Sequence, residues 1–528
     1  MDTTTITDAF SVSGQIQPSD VEQIAKEGFK SIICNRPEDE PGSVGIEAIK
    51  QAASEHGIAF HYLPVGLTGI KEGQVGEFAA LMAGIETPVL AYCRSGNRAS
   101  KLFQAWQDSS DKNLPADNRS ATRVVIIGGG AAGISTASSL MERSADVEVT
   151  IIDPSDVHYY QPGWTMVGGG IFTSEDTVKT MASQIPGGVR WIKKFVGTFE
   201  PEQNSVTLED GEKVSYDQLV VCPGIALDWK AVDGLEDTLG RNGVTSNYRF
   251  DLAPYTWELV TSLKNGKALF TQPAMPIKCA GAPQKAMYLS ADHWMRSGVL
   301  NNIDIEFNNA GGVLFGVKEY IPALMEYVEK YRARLNFSSN LIAVDGDKKV
   351  ATFEETDGNG KKKRVEKTFD MIHVCPPQKS LAFIASSPLA DDAGWVDVDQ
   401  ETLQHKRFAN IWSLGDAANT PNAKTAAAVR KQAPIVAENL LAVAAGHAPI
   451  MHYSGYGSCP LTVERGRIVL AEFGYGGSIQ PTFPTWLLNG TRPTRLAWFL
   501  KEKILPSLYW HGMLKGKEWM AKPRKQAS

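Results

Sequence analysis

The chain has 528 residues, of which 43% are hydrophobic and 21% charged, and its formal net charge is −6. This length exceeds what one hydrophobic core supports, so we expect several packed domains. The ordinary composition excludes a largely disordered protein, and the acidic balance argues against nucleic-acid binding. The six cysteines form neither a disulfide framework nor a metal-binding motif, so we predict no metal.

The N-terminus and the hydropathy pattern predict a protein that is neither exported nor inserted across a membrane. Residues 1–8 read MDTTTITD, without the basic and then apolar stretch of a signal peptide. No stretch of about 18 uncharged apolar residues occurs along the chain. We therefore expect reduced cysteines and an intracellular location.

Residues 1–106 predict a small α/β domain. Apolar periodicity indicates helices at 18–27, 43–56 and 73–85 and strands at 30–34, 59–63 and 89–92. Residues 107–121, QDSSDKNLPADNRSA, are polar and aperiodic, which predicts a linker. A mixed α/β region follows at 122–455, with flavin-binding parts at 122–245 and 400–450, and a C-terminal region occupies 456–528.

The last predicted strand of the first domain runs into Cys93 of CRSGNRAS and then into a helix. Backbone N–H groups at a helix N-terminus, together with Arg98, favour a thiolate and an anion beside it. Tyrosine phosphatases separate the cysteine from the arginine by five residues, whereas four separate Cys93 from Arg98. The shorter loop suits a persulfide sulfur, bound by residues 94–98 and carried by Cys93.

This loop resembles rhodanese active loops, in a domain resembling a small phosphatase-like family on SGQI at 13–16 and NRPEDE at 35–40. The resemblance implies a sulfurtransferase. A phosphatase and a non-catalytic binding domain stay open as alternatives.

A dinucleotide-binding motif begins the second region. In RVVIIGGGAAGIS an apolar strand runs into Gly128, Gly130 and Gly133 in GxGxxG spacing and then into a helix. Glycines permit the tight turn and the close approach of a pyrophosphate to the helix N-terminus. A second strand ends at Asp153, whose carboxylate would accept hydrogen bonds from a ribose. The predicted cofactor-binding residues of this motif are Gly128, Gly130, Ala131, Ala132, Gly133 and Asp153.

A second segment, NIWSLGD at 410–416, is similar to the second flavin signature of two-dinucleotide reductases. That resemblance implies that Asp416, after Gly415, holds the ribityl chain of FAD. We also assign Lys424, just before an Ala-rich helix, to the cofactor site.

The GxGxxG that such reductases use for NAD(P)H has no counterpart midway along the chain. The matching strand, at 267–271, is followed by QPAMPIKCAGAPQK, with prolines and a cysteine in place of glycines. A flavin without a nicotinamide needs another electron donor, and Cys279 in this loop offers a sulfur-borne one.

Several blocks resemble sulfide:quinone oxidoreductases, including the mitochondrial type, over residues 122–520: HYYQPGWTMVGGG, MPIKCAGAPQKAMYL, FNNAGGVLFGVKEY, AGWVDVD and KTAAAVRKQ. The resemblance implies FAD and two cysteines whose sulfur bridge sulfide attacks, leaving a persulfide on one while the other thiolate reduces FAD. Cys279 matches the sulfur-carrying cysteine of the family.

The second redox cysteine does not match, because the mitochondrial pattern places it where this chain has Ala417. We predict Cys375 as the substitute, since Pro376 and Pro377 end its strand and could expose the thiol. Cys222 is the second choice, although a buried apolar role suits it better. Cys459 is predicted to be structural.

A thiolate at Cys279 needs a nearby cation or helix N-terminus. The sequence offers Lys278 and the helix that follows Cys279. Residue adjacency alone does not tell whether Lys278 points toward the thiol.

The tail interleaves tryptophans, leucines and other apolar residues with basic ones, and from residue 486 onward nine Lys or Arg face two acidic residues. This composition predicts a pair of amphipathic helices in the lipid interface, where quinone dissolves. Packing on the protein's own core is the alternative.

Together these features predict an α/β enzyme with a rhodanese- or phosphatase-like first domain, two Rossmann-like domains of the FAD/NAD-linked reductase type, and a membrane-binding tail. We expect it to oxidise sulfide to persulfide sulfur, to reduce quinone through FAD, and to transfer sulfur through Cys93 to glutathione, sulfite or sulfide. The expected location is a peripheral one, at the cytoplasmic face of a bacterial inner membrane. An NAD(P)H-dependent persulfide or coenzyme A-disulfide reductase is the competing function, and a homo-oligomer is left open.

Overall fold

The computed structural model describes residues 3–7, 9–66, 69–71, 73–113, 121–421 and 424–523. The chain divides into two compact units, Met1–Ser120 and Ala121–Ser528. Each is considered by itself below.

The first unit is built on one five-stranded sheet with helices packed against it. Apolar side chains of the strands form two clusters, one on each face, as a sheet covered on both sides requires. The order across the sheet is Thr3–Thr7, Phe10–Ser13, Val89–Tyr92, Ser31–Cys34 and Ala59–Tyr62, with only the first pair antiparallel. The helices are Val21–Lys26, preceded by the 3-10 turn Pro18–Asp20, then Ile46–Glu55, Gln74–Gly84 and Asn97–Asn113.

The three predicted helices and three predicted strands of this unit lie where the sequence indicates. The first two strands were missed because TTTIT and FSVS are short and carry few apolar residues. The last helix continues to Asn113, so the prediction that a linker begins at residue 107 is wrong at that end. Residues 114–120 of the predicted linker lie outside the described residues.

The second unit contains two five-stranded parallel sheets, which agrees with the predicted α/β architecture. The central strands Thr122–Ile127 and Gln218–Val221 of the first sheet carry buried apolar runs, as strands covered on both faces do. The first sheet has the order Arg190–Ile192, Val147–Ile152, Thr122–Ile127, Gln218–Val221 and Ile411–Ser413. The second has the order Val244–Thr245, Met371–His373, Gly266–Gln272, Ile303–Asn309 and Arg334–Phe337.

Long helices cover these sheets. Helices Ala131–Arg143 and Ala426–Ala444 pack together on the first sheet within one buried cluster. Helix Ala282–Arg296 packs on the second sheet, and so does Ile321–Lys330. Each long helix therefore begins at the edge where parallel strands end, which is where open α/β sheets bind ligands.

Antiparallel strands and short helices complete the second unit. The strands are Val157–Tyr159 with Val178–Thr180, Val196–Glu200 with Ser205–Leu208 and Lys213–Ser215, Ala226–Leu227 with Gln378–Lys379, Ser339–Asp345 with Val350–Thr356 and Lys362–Thr368, and Gly457–Glu464 with Arg467–Phe473. The short helices are Trp164–Val167, Met181–Gln184, Leu235–Thr238, Ala253–Ser262 and Ala382–Ala385.

The C-terminal tail forms one helical run instead of the predicted pair of helices. It comprises Arg495–Phe499, Leu500–Ile504, Leu505–Ser507, Leu508–Gly512 and Met513–Lys515, of which the second and fourth segments have π-helical hydrogen bonds. No described helix is long and apolar enough to cross a membrane.

Candidate active site

The glycine-rich loop has the geometry of a dinucleotide site. Gly128 has a φ of +103°, which favours glycine, and a Cβ at Gly133 would lie 1.8 Å from the Gly128 carbonyl oxygen. A Cβ at Gly130 would meet no atom within 4 Å, so the loop is open just before the helix Ala131–Arg143. The first N–H groups of that helix have no intrahelical acceptor and suit a pyrophosphate.

Asp153 lies beside this loop, at the end of the strand Val147–Ile152. Its carboxylate accepts hydrogen bonds from the N–H groups of Gly129 at 2.6 Å and Ser155 at 2.8 Å. An ionised carboxylate has about four acceptor sites, so capacity remains for ribose hydroxyls.

The second predicted motif meets the first. Gly415 has a φ of +71°, and its N–H donates to Oε1 of Gln432 at 2.9 Å. A Cβ on Gly415 would lie 3.4 Å from Cβ of Ala132, so the two motifs face each other. Asp416 is half-buried, and no described residue donates a hydrogen bond to its carboxylate. These residues fit the dinucleotide cofactor that the sequence predicts.

Lys424 connects this cofactor loop to the cysteine loop. Its Nζ donates to the carbonyl oxygens of Asp416 and Ala418, each at 2.8 Å, and lies 4.3 Å from the centroid of the Trp395 ring. The carbonyl oxygen of Lys424 accepts a hydrogen bond from the N–H of Cys279 at 3.0 Å. Burial lowers the pKa of the Lys424 ammonium to about 8. Lys424 therefore fixes the backbone of both loops.

Cys279 occupies a strained position between the strand Gly266–Gln272 and the helix Ala282–Arg296. Its φ of +51° is uncommon for a residue with a side chain, and its carbonyl oxygen accepts a hydrogen bond from Ala282 N–H at 2.7 Å. Such conformations persist where the surroundings hold them, often at functional sites.

A second sulfur lies against Cys279. Sγ of Cys459 is 3.2 Å from Sγ of Cys279, although 180 residues separate the two in sequence. Nζ of Lys285, in the first turns of the helix Ala282–Arg296, is 3.3 Å from the first sulfur and 3.8 Å from the second. The structure thus brings together two thiols and one buried ammonium.

This arrangement favours a thiolate at Cys279. The hydrogen bond from Cys459, followed by the charge of Lys285, lowers the pKa of Cys279 well below its usual range despite burial. The same hydrogen bond raises the pKa of Cys459, which remains the thiol and the donor. Burial alone would lower the pKa of Lys285, but the two sulfurs outweigh it and raise that pKa.

A second buried lysine reaches this region from the C-terminal tail. Lys501 is only 3% exposed, and its Nζ donates to the carbonyl oxygen of Pro162 at 2.9 Å. Burial, and then the charge of Lys285, lower the pKa of Lys501 to about 7. The tail therefore brings a second ionisable lysine close to the sulfur site.

Two sequence predictions about this site, those for Cys375 and Cys459, differ from the geometry, whereas Cys222 has the buried apolar place that suits it better. Cys375, predicted as the partner of Cys279, is buried beside Gln378, and burial raises its pKa to about 12. Cys222 is enclosed in the core of the first sheet, 4.0 Å from the Gly128 carbonyl oxygen. Cys459, predicted to be structural, is the described cysteine whose sulfur lies within hydrogen-bonding distance of Cys279.

The cation at the thiol is also not the one that the sequence suggested. Nζ of Lys278 donates to Oε1 of Gln161 at 2.6 Å and lies 5.7 Å from the centroid of the Trp164 ring. Lys285 contacts the sulfurs instead, because the first turn of the helix Ala282–Arg296 brings its side chain back over the loop. The position of Lys278 next to Cys279 in sequence therefore led to the wrong prediction for the cation at the thiol.

The N-terminal unit contains its own thiol site. Cys93 is buried and lies between the strand Val89–Tyr92 and the helix Asn97–Asn113. Burial alone would raise its pKa, but hydrogen bonds from the N–H groups of Ala99, Ser95 and Arg98 outweigh it and lower the pKa. This agrees with the thiolate-stabilising loop that the sequence indicates.

Arg98 is already engaged by a buried carboxylate that the sequence analysis did not assign. Its Nη1 is 2.7 Å from Oε2 of Glu40 and its Nη2 donates to Oε1 at 3.1 Å. Nε of Arg36 lies 3.2 Å from the same carboxylate. Glu40 and Arg36 belong to the NRPEDE segment, and that signature was the available signal for them.

The tail packs one face on the second unit and exposes the other. Tyr509, Trp510 and Leu514 are buried, and the Tyr509 hydroxyl is 2.7 Å from Nε2 of His158, whose Nδ1 is 3.0 Å from the Gly129 carbonyl oxygen. Burial lowers the pKa of His158 to about 4, so this ring is neutral. The exposed apolar residues are Trp486, Leu487, Leu496, Phe499, Ile504, Trp519 and Met520.

Comparison with known proteins identifies the family of the larger unit. A sulfide:quinone oxidoreductase named as mitochondrial from Dictyostelium discoideum is 43% identical over 84% of this chain and 97% of its own length. The chain belongs to the sulfide:quinone oxidoreductase family. The mitochondrial member of this family from Mus musculus is 39% identical over 74% of this chain and 86% of its own. Residues 122–257 match the model of the pyridine nucleotide-disulphide oxidoreductases.

The fold agrees with that membership, and FAD is the cofactor of the family. The crystal structure of the sulfide:quinone oxidoreductase from Aquifex aeolicus aligns with a TM-score of 0.63 at 19% identity, over 75% of this chain and 92% of that one. At this identity the match bears on the fold alone. The residues of the dinucleotide site described above fit FAD.

The N-terminal unit belongs to a different set of relatives. Residues 2–110 match the model of the phosphatase-like domain of beta-lactamase hydrolase-like proteins. A beta-lactamase hydrolase-like protein from Agrobacterium fabrum is 36% identical over 99 residues, 19% of this chain and 23% of its own. The chain thus spans less than a quarter of that relative.

We predict that Lys285 keeps Cys279 reactive toward alkylation at neutral pH. A thiol with a lowered pKa stays reactive as the pH falls toward 7, and it loses reactivity only below that pKa. Replacing Lys285 with Met raises the pKa and should slow iodoacetamide labelling of Cys279 at pH 7 by roughly 10-fold. The measurement is the labelling rate against pH, read by peptide mass spectrometry.

Lys278→Met serves as the matched control, because that ammonium is bonded to Gln161. Its labelling rate should stay within about twofold of the parental rate. Equal slowing by both substitutions would contradict the assignment of Lys285.

Proposed function

We propose that the chain oxidises sulfide at Cys279 and passes the electrons to a quinone, as the names of its relatives indicate for those proteins. The observation that carries the proposal is the sulfur pair held by buried Lys285 at the start of the helix Ala282–Arg296. An NAD(P)H-dependent reductase would need a glycine-rich loop at this place.

The loop after Gly266–Gln272 argues against that alternative. Residues 273–279, PAMPIKC, carry two prolines where glycines would let a pyrophosphate approach the helix N-terminus. Sγ of Cys279 and Sγ of Cys459 lie 3.3 and 3.8 Å from Nζ of Lys285, in the first turn of this helix. A sulfur anion therefore has its counter-charge where an NAD(P)H site would hold a pyrophosphate.

The chain's own residues supply a nucleophile and hold its charge. The loops at Gly128, Asp153 and Asp416 would hold FAD, which would supply two-electron redox chemistry between the sulfur site and the quinone. Lys285 and the N-terminus of its helix stabilise the Cys279 thiolate, since burial without a cation would favour the thiol. Lys424 fixes the Cys279 loop to the loop that carries Asp416.

The electron donor can be tested by anaerobic flavin spectroscopy. We expect one equivalent of sulfide to bleach the flavin absorbance, and NADH to do so at least about 100-fold more slowly, because the nicotinamide loop is missing. Reoxidation by a ubiquinone analogue completes the test. Prompt bleaching by NADH would contradict the proposal and favour the reductase alternative.

The exposed face of the tail supports binding to a membrane surface. Phe499 and Ile504 lie on the outer side of the helical run, and exposed Arg495 and Lys503 lie beside them. Apolar side chains at this face would enter the acyl boundary, and the basic ones would meet anionic headgroups. Lys501, on the inner side, joins this surface to the sulfur site.

We predict that Phe499→Glu with Ile504→Glu weakens binding to vesicles containing phosphatidylglycerol by about 10-fold or more. Phe195→Glu is the matched control, because Phe195 is 58% exposed but lies outside the tail. Co-sedimentation with the vesicles measures the binding of the tail variant and of the control. The membrane proposal fails if the control loses as much binding as the tail variant.

For the N-terminal unit we propose sulfur transfer through Cys93. The cluster of backbone N–H groups that lowers the pKa of Cys93 would equally stabilise a persulfide anion, and Arg98 supplies the nearby charge. A terminal sulfur from the larger unit would reach glutathione, sulfite or a second sulfide by this route.

Assays of thiosulfate turnover and of phosphotyrosine hydrolysis distinguish sulfur transfer from the phosphatase alternative. Cys93→Ser should lower sulfur transfer to cyanide or glutathione at least about 100-fold, since the sulfur-carrying thiol is removed. Cys34→Ser, at another buried cysteine of the unit, should retain most of it. Phosphotyrosine hydrolysis that depends on Cys93, without sulfur transfer, would contradict the proposal.

The identity of the membrane and the oligomeric state are the last two sequence predictions. The relatives' names do not establish the inner membrane of a bacterium, so the membrane is proposed without specifying its identity. A homo-oligomer also stays a prediction.

A further inference from the structure

We propose that Cys459 is the second redox sulfur of this chain and forms with Cys279 the disulfide that sulfide opens. This inference rests on the proposed sulfide oxidation and names the partner in it. The two sulfurs are 3.2 Å apart, whereas a disulfide bond is about 2.05 Å long, so a shift of about 1 Å joins them. No other described cysteine sulfur lies within hydrogen-bonding distance of Cys279.

A glycine in the Cys279 loop lets Cys459 lie close to Cys279. A Cβ on Gly281 would lie 2.5 Å from Sγ of Cys459 and 2.4 Å from Cδ2 of Leu461, closer than real Cβ contacts. The φ of Gly281 is −87°, so space and not backbone conformation requires glycine here. Gly281 therefore admits the strand Gly457–Glu464, which carries Cys459, against the Cys279 loop.

Other cysteines are less suited to the role. Residue 417, where the family resemblance implied a cysteine, is a buried alanine. Cys375 packs in the same apolar cluster as Cys279, but its Sγ is in contact with Gln378 and the Pro376 carbonyl oxygen, and burial raises its pKa to about 12. Cys222 packs behind the dinucleotide loop. Among the described cysteines, Cys459 and Cys279 are the two whose sulfurs lie within hydrogen-bonding distance of Nζ of Lys285.

The ammonium of Lys285 decides which sulfur leaves. Hydrosulfide attacks Sγ of Cys459, the bond between the two cysteine sulfurs breaks, and Cys279 departs as a thiolate with the electron pair. The better-stabilised thiolate is the better leaving group, and Lys285 lies closer to Cys279. Cys459 then carries the persulfide, S–SH, so the sulfur-carrying role that the family resemblance implied for Cys279 passes to Cys459 in this chain.

Two further steps restore the disulfide. A thiolate acceptor attacks the terminal sulfur, forms a new persulfide, and releases the sulfur of Cys459, which takes up a proton. The Cys279 thiolate and the Cys459 thiol then give two electrons to the quinone of the proposed function. The thiol proton and one proton from solvent complete the quinol, and the bond between Cys279 and Cys459 forms again. Each turnover thus transfers one sulfur atom and two electrons.

The pair is tested directly by peptide mapping of the full-length holoenzyme as oxidised by quinone. After acid quenching, N-ethylmaleimide alkylation and non-reducing tryptic digestion, we expect residues 279–285 to be cross-linked to residues 432–465. One equivalent of sulfide should release both peptides. A cross-link of 279–285 to 368–379, which contains Cys375, would overturn the inference, and so would free Cys279 and Cys459 in oxidised, active enzyme.

Variants provide the second measurement. Cys459→Ala should lower sulfide-dependent quinone reduction by about 100-fold or more, and Cys375→Ala by no more than about threefold. Parental turnover by Cys459→Ala would overturn the inference, while the proposed function would still stand. If the variant does not fold, the wild-type peptide map decides. The proposed function itself fails if the wild-type enzyme reduces no quinone with sulfide, whatever the cross-link.

Discussion

The sulfur site depends on one buried ammonium. Lys285 is enclosed in the second unit, and its hydrogen-bond partners among the described residues are the sulfurs of Cys279 and Cys459. A buried charge without a counter-charge is costly, so this lysine favours the states in which a sulfur beside it is anionic. The same lysine therefore accounts for the reactivity of Cys279 and selects which sulfur holds negative charge when a disulfide opens.

Segments that are distant in sequence hold this pair in place. Lys424 bonds the Cys279 loop through its carbonyl oxygen and the Asp416 loop through its ammonium. The tail brings Lys501 to the same region, and its Tyr509 bonds His158, which bonds the glycine-rich loop. Lys424 thus joins the cofactor loop directly to the sulfur loop, and His158 links the tail to the glycine-rich loop.

The sequence predicted what local patterns determine and missed what long-range packing determines. The strand, glycine loop and helix at Gly128 are read from consecutive residues, and the importance of Cys279 follows from its place in a loop that lacks glycines. Cys459 was assigned a structural role because nothing near SCPL in sequence indicates that its strand packs against Gly281. Lys278 was favoured over Lys285 by adjacency, although helix geometry brings the more distant lysine to the thiol. The two-faced helical tail follows from the mixed composition, but its π-helical turns do not.

The most direct measurement of the central claim is the fate of the substrate sulfur. Oxidised holoenzyme would be mixed anaerobically with one equivalent of ³⁴S-hydrosulfide, without an acceptor, and the persulfide trapped by alkylation and located by peptide mass spectrometry. The account predicts the isotope on Cys459, with Cys279 free and alkylatable. Isotope bound to Cys375 or Cys222, or quinone reduction with no isotope on the Cys279–Cys459 pair, would contradict it.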